Sequence, residues 1–278
     1  MSILEFSALI WIGAVAAGLL GSLTGLGGGV VIVPLLTLGF GVDIRYAIGA
    51  SLVSVIATSS GAAVAYVREG FTNIRVGMLL EIATTLGATG GALLATHMPA
   101  TAIAIVFGVV LLSSVYSSVK EPPRDVPDAP PDPLATRLRL DGVYPALAGP
   151  RNYHVRAVPA GFALMAVAGA LSGLLGIGSG AMKVLAMDRA MRLPFKVSTT
   201  TSNFMIGVTA AASVGIYLNR GYVDPGLAMP TMLGVLAGSM VGVRILAGTP
   251  SQRLRWVFAV AIFALGVEMI YNALTGRI

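Results

Sequence analysis

Residues 172–185 read SGLLGIGSGAMKVL, and Lys183 stands there in apolar sequence with Gly173, Gly176, Gly178 and Gly180 in the ten residues before it. A cation at the centre of a membrane helix costs about 2.5–3.5 kcal/mol on insertion scales, so such a charge faces a cavity, an anion or a partner. Three readings stay open: contact with an anion, snorkelling to the membrane surface, or pairing with Asp188 or another carboxylate. Each Gly lowers helix propensity by about 1 kcal/mol relative to Ala, so a cluster of them invites a break. A segment restarting after the break presents unpaired N–H groups and a positive dipole end that attracts an anion. Lys183, three residues past Gly180, adds a full charge to that end. The same glycine pattern occurs once more, in GSLTGLGGGVVIVP at 21–34. Close helix packing is the competing reading, because Gly21, Gly25 and Gly29, like Ser172, Gly176 and Gly180, are spaced four apart. Gly87 with Gly91 and Gly238 with Gly242 share that spacing without the cluster and read as packing alone.

Further polar groups gather in two stretches, AIGASLVSVIATSSGAA (47–63) and STTTSNFMIGVTAAA (198–212). Ser51, Ser54, Thr199, Thr200, Thr201 and Ser202 can each bond a carbonyl of their own helix. Asn203 is harder to accommodate, because an unpaired amide in hydrocarbon is costly, and it reads as interhelical glue or a substrate ligand. Glu81, about a third of the way into NIRVGMLLEIATTLGATGGALL, relays protons, pairs with Lys183 or an Arg, or sits near the membrane interface. The absence of Cys excludes thiolate sites, and two His in the whole chain argue against a multi-His metal centre. No nucleotide-binding loop occurs. A Ser nucleophile needs a base within reach, and Ser179, one helical turn from Lys183, is the only opening for an enzyme. The expectation is a non-enzyme with no cofactor and no metal.

These groups need positioning by membrane-spanning helices. Only 11% of the 278 residues are charged and 56% are hydrophobic, against about 25% charged in soluble domains. The net charge of +6 reflects loop charges rather than nucleic-acid binding. The expected fold class is an all-α polytopic membrane protein. Apolar segments lie at about 4–24, 27–41, 46–66, 74–96 and 100–119, then 157–175, 178–192, 197–217, 225–246 and 251–273. The start, MSILEFSALIWIGAVAAGLLG, lacks a basic leader region and reads as a retained span. Three divisions follow: a first membrane repeat over 1–119, a Pro-rich linker over 120–156 expected to be extended or irregular, and a second membrane repeat over 157–278.

The two sets match at one offset of 151 residues, which pairs Gly25 with Gly176, Gly27 with Gly178, Gly29 with Gly180, Ser51 with Ser202, Tyr66 with Tyr217, Pro99 with Pro250 and Phe107 with Phe258. The 15 residues of 27–41 reach about 22 Å as a helix, short of a hydrocarbon core of roughly 30 Å. If these short segments do not cross, the halves are parallel and Lys/Arg divide ten against seven between the two sides. If they do cross, each half has five segments, the halves are inverted, and the division is fourteen against three. The positive-inside tendency favours two inverted repeats, with both termini outside and the linker cytoplasmic. Short Gly-broken segments at matching positions of inverted repeats point to a substrate site near the centre.

The paired motifs GLGGGVVIVPLL and GIGSGAMKVLAMD, followed by GASLVSV and TSNFMIGVTAAA, resemble the TauE/SafE sulfite exporter family, also called the toluene sulfonate uptake permeases. The resemblance covers nearly the whole chain outside the linker. It implies a plasma-membrane secondary transporter moving sulfite, organosulfonates or related sulfur-containing anions, with an anion channel as the alternative. It also implies a central site at Gly25, Gly27, Gly28, Gly29 and Ser51 and at Gly176, Gly178, Gly180 and Ser202. Ser179, Lys183, Thr201 and Asn203 complete the candidate set. The chain departs from the pattern at Ser179, where a further glycine is common, and at Leu185, opposite Pro34. Its expected partners are a small sulfur-containing anion and the lipid bilayer, with proton coupling and a homodimer left open.

Overall fold

The computed structural model describes residues 3–24, 28–68, 70–119, 132–146, 149–246 and 251–278. The first half contains α1 (Ile3–Thr24), α2 (Gly29–Pro34), α3 (Ile44–Arg68), α4 (Ile74–Ala95) and α5 (Ala100–Val119). A short α6 (Pro133–Arg137) and a hairpin of β1 (Gly142–Ala146) and β2 (Gly149–Tyr153) follow. The second half contains α7 (Val158–Leu175), α8 (Gly180–Leu185), α9 (Phe195–Asn219), α10 (Pro225–Leu246) and α11 (Ser251–Leu274). Gly29 and Gly180, Ile44 and Phe195, Ile74 and Pro225, and Ala100 and Ser251 each open an element, and each pair is 151 positions apart.

The match extends to an irregularity. A five-residue π-helical turn follows α2 at Leu35–Gly39 and follows α8 at Ala186–Ala190. Pro34 removes an N–H just before the first of these, but Leu185 stands in its place in the second, so proline is not the shared cause. Both turns are closed by the same long-reach bond, Val42 N–H to the Leu36 carbonyl and Leu193 N–H to the Met187 carbonyl.

Among the described residues, α4, α7 and α9 are long and apolar enough to cross a membrane. Large side chains such as Leu4, Met78, Leu86, Leu94, Phe263 and Leu274 stay exposed, the surface expected of a protein solvated by lipid rather than water. Because lipid tails are as apolar as Leu, helix association rests on close packing. A Cβ on Gly87 or Gly91 of α4 would fall on the Ala166 or Ala170 carbonyl of α7, and one on Gly169 or Gly173 of α7 on the Thr84 or Ala88 carbonyl of α4. The mates α10 and α1 repeat this, Gly238 against the Val15 carbonyl. The packing role expected for Gly87, Gly91 and Gly238 is met. The surroundings of Gly242 lie outside the described residues.

Those contacts also fix directions. Gly87 beside Ala166 and Gly91 beside Ala170 make α4 and α7 parallel. Asn73 bonded to Thr201 and Glu81 bonded to Thr209 make α4 and α9 parallel. Gly49 against Tyr222 and Ser59 against Gly207 make α3 and α9 antiparallel.

Part of the linker departs from expectation. Residues 120–131 and 147–148 lie outside the described residues, but 132–146 and 149–156 form a short helix and a paired hairpin rather than an irregular linker. Asp132 caps α6 through the Leu134 N–H, and Asp141 accepts from the Val155 N–H at 2.8 Å, drawing the two ends of the hairpin together. Ala135, Leu140, Tyr153 and Val155 are buried against Val76, Leu80 and Met191. Asn73 is the anchor: its Oδ1 caps α4 at Val76, and its Nδ2 donates to the Leu140 carbonyl at 2.8 Å and the Tyr153 hydroxyl at 2.7 Å. Loss of a cap costs about 1 kcal/mol. Asn73→Ala is therefore expected to lower stability by about 1–2 kcal/mol and to raise the rate of limited proteolysis within 139–153. Unchanged cleavage would show that the hairpin docks without this anchor.

Candidate functional site

The second glycine cluster breaks the chain as its sequence predicts. α7 ends with Gly176 in the left-handed region (φ +67°), Gly178 is also left-handed (φ +70°), and so is Ser179 (φ +44°). For a residue with a Cβ that conformation costs roughly 1–2 kcal/mol. Helix resumes at Gly180, with the Lys183 N–H bonded to the Ser179 carbonyl. The first cluster is described in part: α1 ends at Thr24, Gly25 and Gly27 lie outside the described residues, and Gly28 is right-handed (φ −64°) ahead of α2. Gly28, at the position matching Ser179, thus has a different backbone conformation.

The second break meets the start of α2. A Cβ on Gly29 would lie 2.8 Å from the Gly176 carbonyl oxygen and 2.7 Å from Ser51 Oγ, and Ser51 Oγ donates to that same carbonyl at 2.7 Å. Gly178 packs against Ile206 midway along α9 and Val55 midway along α3, so the junction sits at the middle of both long helices. Ser202 Oγ donates to the Gly180 carbonyl at 3.3 Å. Both mates, Ser51 and Ser202, thereby spend their hydroxyl on a carbonyl of the second cluster. Thr201 points elsewhere, accepting from the Asn73 N–H at 3.0 Å at the start of α4. Asn203 is half-buried within α9, and its side-chain amide makes no hydrogen bond to another described residue.

Lys183 is wholly buried, with none of its surface exposed. Its Nζ donates to Thr209 Oγ1 at 2.6 Å, and Thr209 Oγ1 donates to Glu81 Oε1 at 2.8 Å. Thr209 also lies 3.0 Å from the Met205 carbonyl of its own helix, but it has one proton, and a carboxylate outcompetes a neutral carbonyl for it. Thr85 Oγ1 adds a longer bond to Glu81 Oε1 at 3.3 Å. The carboxylate facing Lys183 is thus Glu81 of α4, reached through a hydroxyl of α9. Snorkelling is ruled out by the burial. At the relay, Glu81 Oε2 is buried with no partner among the described residues, and so, elsewhere in the second cluster, are Ser179 Oγ and Ser172 Oγ. Two of the three N–H donors of Lys183 are likewise unused there.

Thr209 did not stand out in the sequence. Its mate Thr58 bonds only carbonyls of its own helix, and Lys183 and Glu81 are matched by Ile32 and Met232. The order of elements is thus duplicated, while the charged relay has no counterpart at the matching positions. Lys183 bonds Thr209 rather than Ser179, so the Ser–Lys pair that hydrolytic chemistry would need is not made. Among the described residues no three His, Asp or Glu side chains come together as a metal site.

Comparison with known proteins agrees with a transport role. The chain is 28% identical to "Probable membrane transporter protein YunE" of Bacillus subtilis (strain 168), over 98% of this chain and 99% of that one. It is 27% identical to "Probable membrane transporter protein YdhB" of the same organism, over 82% and 85%. A third relative, "Probable membrane transporter protein MJ0441" of Methanocaldococcus jannaschii, is 24% identical over 91% of each chain. No solved structure matches. The pattern of the family described as "Sulfite exporter TauE/SafE" matches residues 10–269, spanning both glycine clusters, the long helices between them and the ordered linker, and the chain belongs to that family.

Proposed function

We propose that this chain is a secondary transporter that moves sulfite, organosulfonates or related sulfur-containing anions across the plasma membrane. The observation that carries this reading is the buried ammonium of Lys183, which has unused donors and lies one turn beyond a break at the middle of the long helices. A site of that kind, with the unpartnered hydroxyl of Ser179 four positions earlier in the chain, suits a small oxyanion. Gly28, Gly29, Gly176, Gly178 and Gly180 keep side chains away from the junction, and the amide of Asn203 has no competing partner among the described residues.

The helix directions support inverted repeats as the framework. The mates α3 and α9 run antiparallel, and α4 runs parallel to both α7 and α9. On this reading the short segments opening at Gly29 and Gly180 carry the chain back across, the linker is cytoplasmic and both termini are outside. Alternating access then follows from rocking one half against the other around the junction.

The test is uptake by proteoliposomes of sulfite, thiosulfate, sulfoacetate and sulfate, with unlabelled anion on one side and labelled anion on the other. The expected result is saturable exchange of at least one of them, with accumulation against its gradient. Flux that saturates poorly and never accumulates would make the protein an anion channel. Absence of flux for all four would overturn the reading.

A further inference from the structure

The anion reading leaves a carboxylate unexplained at the far end of the hydrogen-bonded relay from Lys183. We propose that Glu81 is the coupling-ion site of this transporter: it takes up one proton when an anion replaces Thr209 as the partner of Lys183, so that anion and proton cross together. The proposal rests on the transport reading above and assigns its driving ion.

The geometry has three parts. First, Lys183 and Glu81 do not touch. Each is held by the same hydroxyl, so the ammonium can turn to another oxygen by giving up a single bond, the 2.6 Å contact to Thr209. Second, Glu81 has an oxygen to spare. Oε1 accepts from Thr209 and Thr85 while Oε2 is buried without a partner among the described residues, so a proton arriving on Oε2 displaces nothing. Third, among the described residues no other cation stands ready to compensate. α7, packed along α4, carries no titratable side chain. On α9, Lys196 lies in the first turn, and Tyr217 lies near the end, bonded to the Gly173 and Leu174 carbonyls. Arg75, Arg139 and Tyr153 gather at the start of α4. The charge that acts on Glu81 is Lys183, from α8.

Two anions on one ammonium in a low-dielectric interior cannot both stay charged without cost, and the side chain escapes by taking a proton. With the substrate gone, Lys183 returns to Thr209 and Glu81 releases its proton to the side that is then open. The asymmetry between the halves follows from this, since one proton per anion needs a single relay and the matching positions are Ile32, Thr58 and Met232.

The experiment compares wild type with Glu81→Gln in proteoliposomes, the membrane potential clamped at zero, using the anion of the four above that wild type exchanges. One proton per anion makes a one-unit inward pH gradient worth about tenfold accumulation. Wild type is expected to approach that ratio, with proton entry reported by an internal pH dye. Whatever exchange Glu81→Gln retains is expected to ignore the gradient, with an accumulation ratio near one. Equal gradient-driven accumulation in both proteins overturns the proposal, as does wild-type accumulation driven by sodium alone. If Glu81→Gln does not fold, the wild-type dye signal decides: anion entry without proton entry overturns the proposal. A wild type that exchanges none of the four anions removes the transport reading, and this inference with it.

Discussion

Lys183→Met is expected to abolish anion accumulation and to lower the stability of the solubilised protein by about 1.5–3 kcal/mol, the scale of a lost charge-assisted hydrogen bond, because Lys183 reaches the half-buried Glu81 only through Thr209. Methionine fills nearly the volume of the lysine stem, so little of this loss comes from a cavity. It comes from Glu81, which would be left half-buried with only the hydroxyls of Thr209 and Thr85. Protonating Glu81 recovers part of that energy, so the lower end of the range applies in acid. The companion variant separates the two roles of the ammonium. In Lys183→Met with Glu81→Gln no charge remains to be compensated, and replacing a buried pair by neutral groups is often harmless. The double variant should recover most of the lost stability and none of the accumulation. Thermal unfolding in detergent and proteoliposome uptake, run on all four members of the cycle, check this. Full transport by the single variant would reduce Lys183 to a packing residue.

Much of this site was legible because its parts are unusual one at a time. A lysine amid glycines inside an apolar run is conspicuous, and so is a repeat at a single offset whose elements then open in register, from Gly29 with Gly180 to Ala100 with Ser251. What the sequence hides is adjacency. Glu81 and Thr209 are 128 positions apart, and nothing short of the α4–α9 packing shows that they touch. Thr209 is masked further because a threonine in a helix ordinarily bonds a carbonyl one turn back, as its mate Thr58 does. The ordered end of the linker was obscured differently. Its few buried residues, Leu140, Tyr153 and Val155, are diluted among prolines and arginines, so composition reported the surface and missed the anchored face.

The second large effect is steric, and α4 supplies its own control in adjacent residues. Gly91 faces the Ala170 carbonyl of α7 so closely that an added Cβ would overlap backbone, which has no rotamer by which to yield. Gly90, next along the chain, has nothing within 4 Å of the same atom. Gly91→Ala must therefore push α4 and α7 apart along a packed seam, and overpacking costs about 1–3 kcal/mol where side chains can adjust. Against backbone the upper end, about 3 kcal/mol, is expected. Gly90→Ala makes the same chemical change on a lipid-facing side and gains helix propensity, so it should be neutral or stabilising by up to about 1 kcal/mol. Thermal midpoints of the two variants in one detergent provide the comparison. The consequence reaches the Lys183–Thr209–Glu81 relay, because α4, seated on α7 at Gly91, also carries Glu81, ten positions earlier, against Thr209 of α9. Gly91→Ala should then loosen the Glu81–Thr209 bond and weaken pH-gradient-driven accumulation, while Gly90→Ala leaves it alone. Equal midpoints for the two variants would mean that α4 and α7 do not approach as closely as their glycines allow.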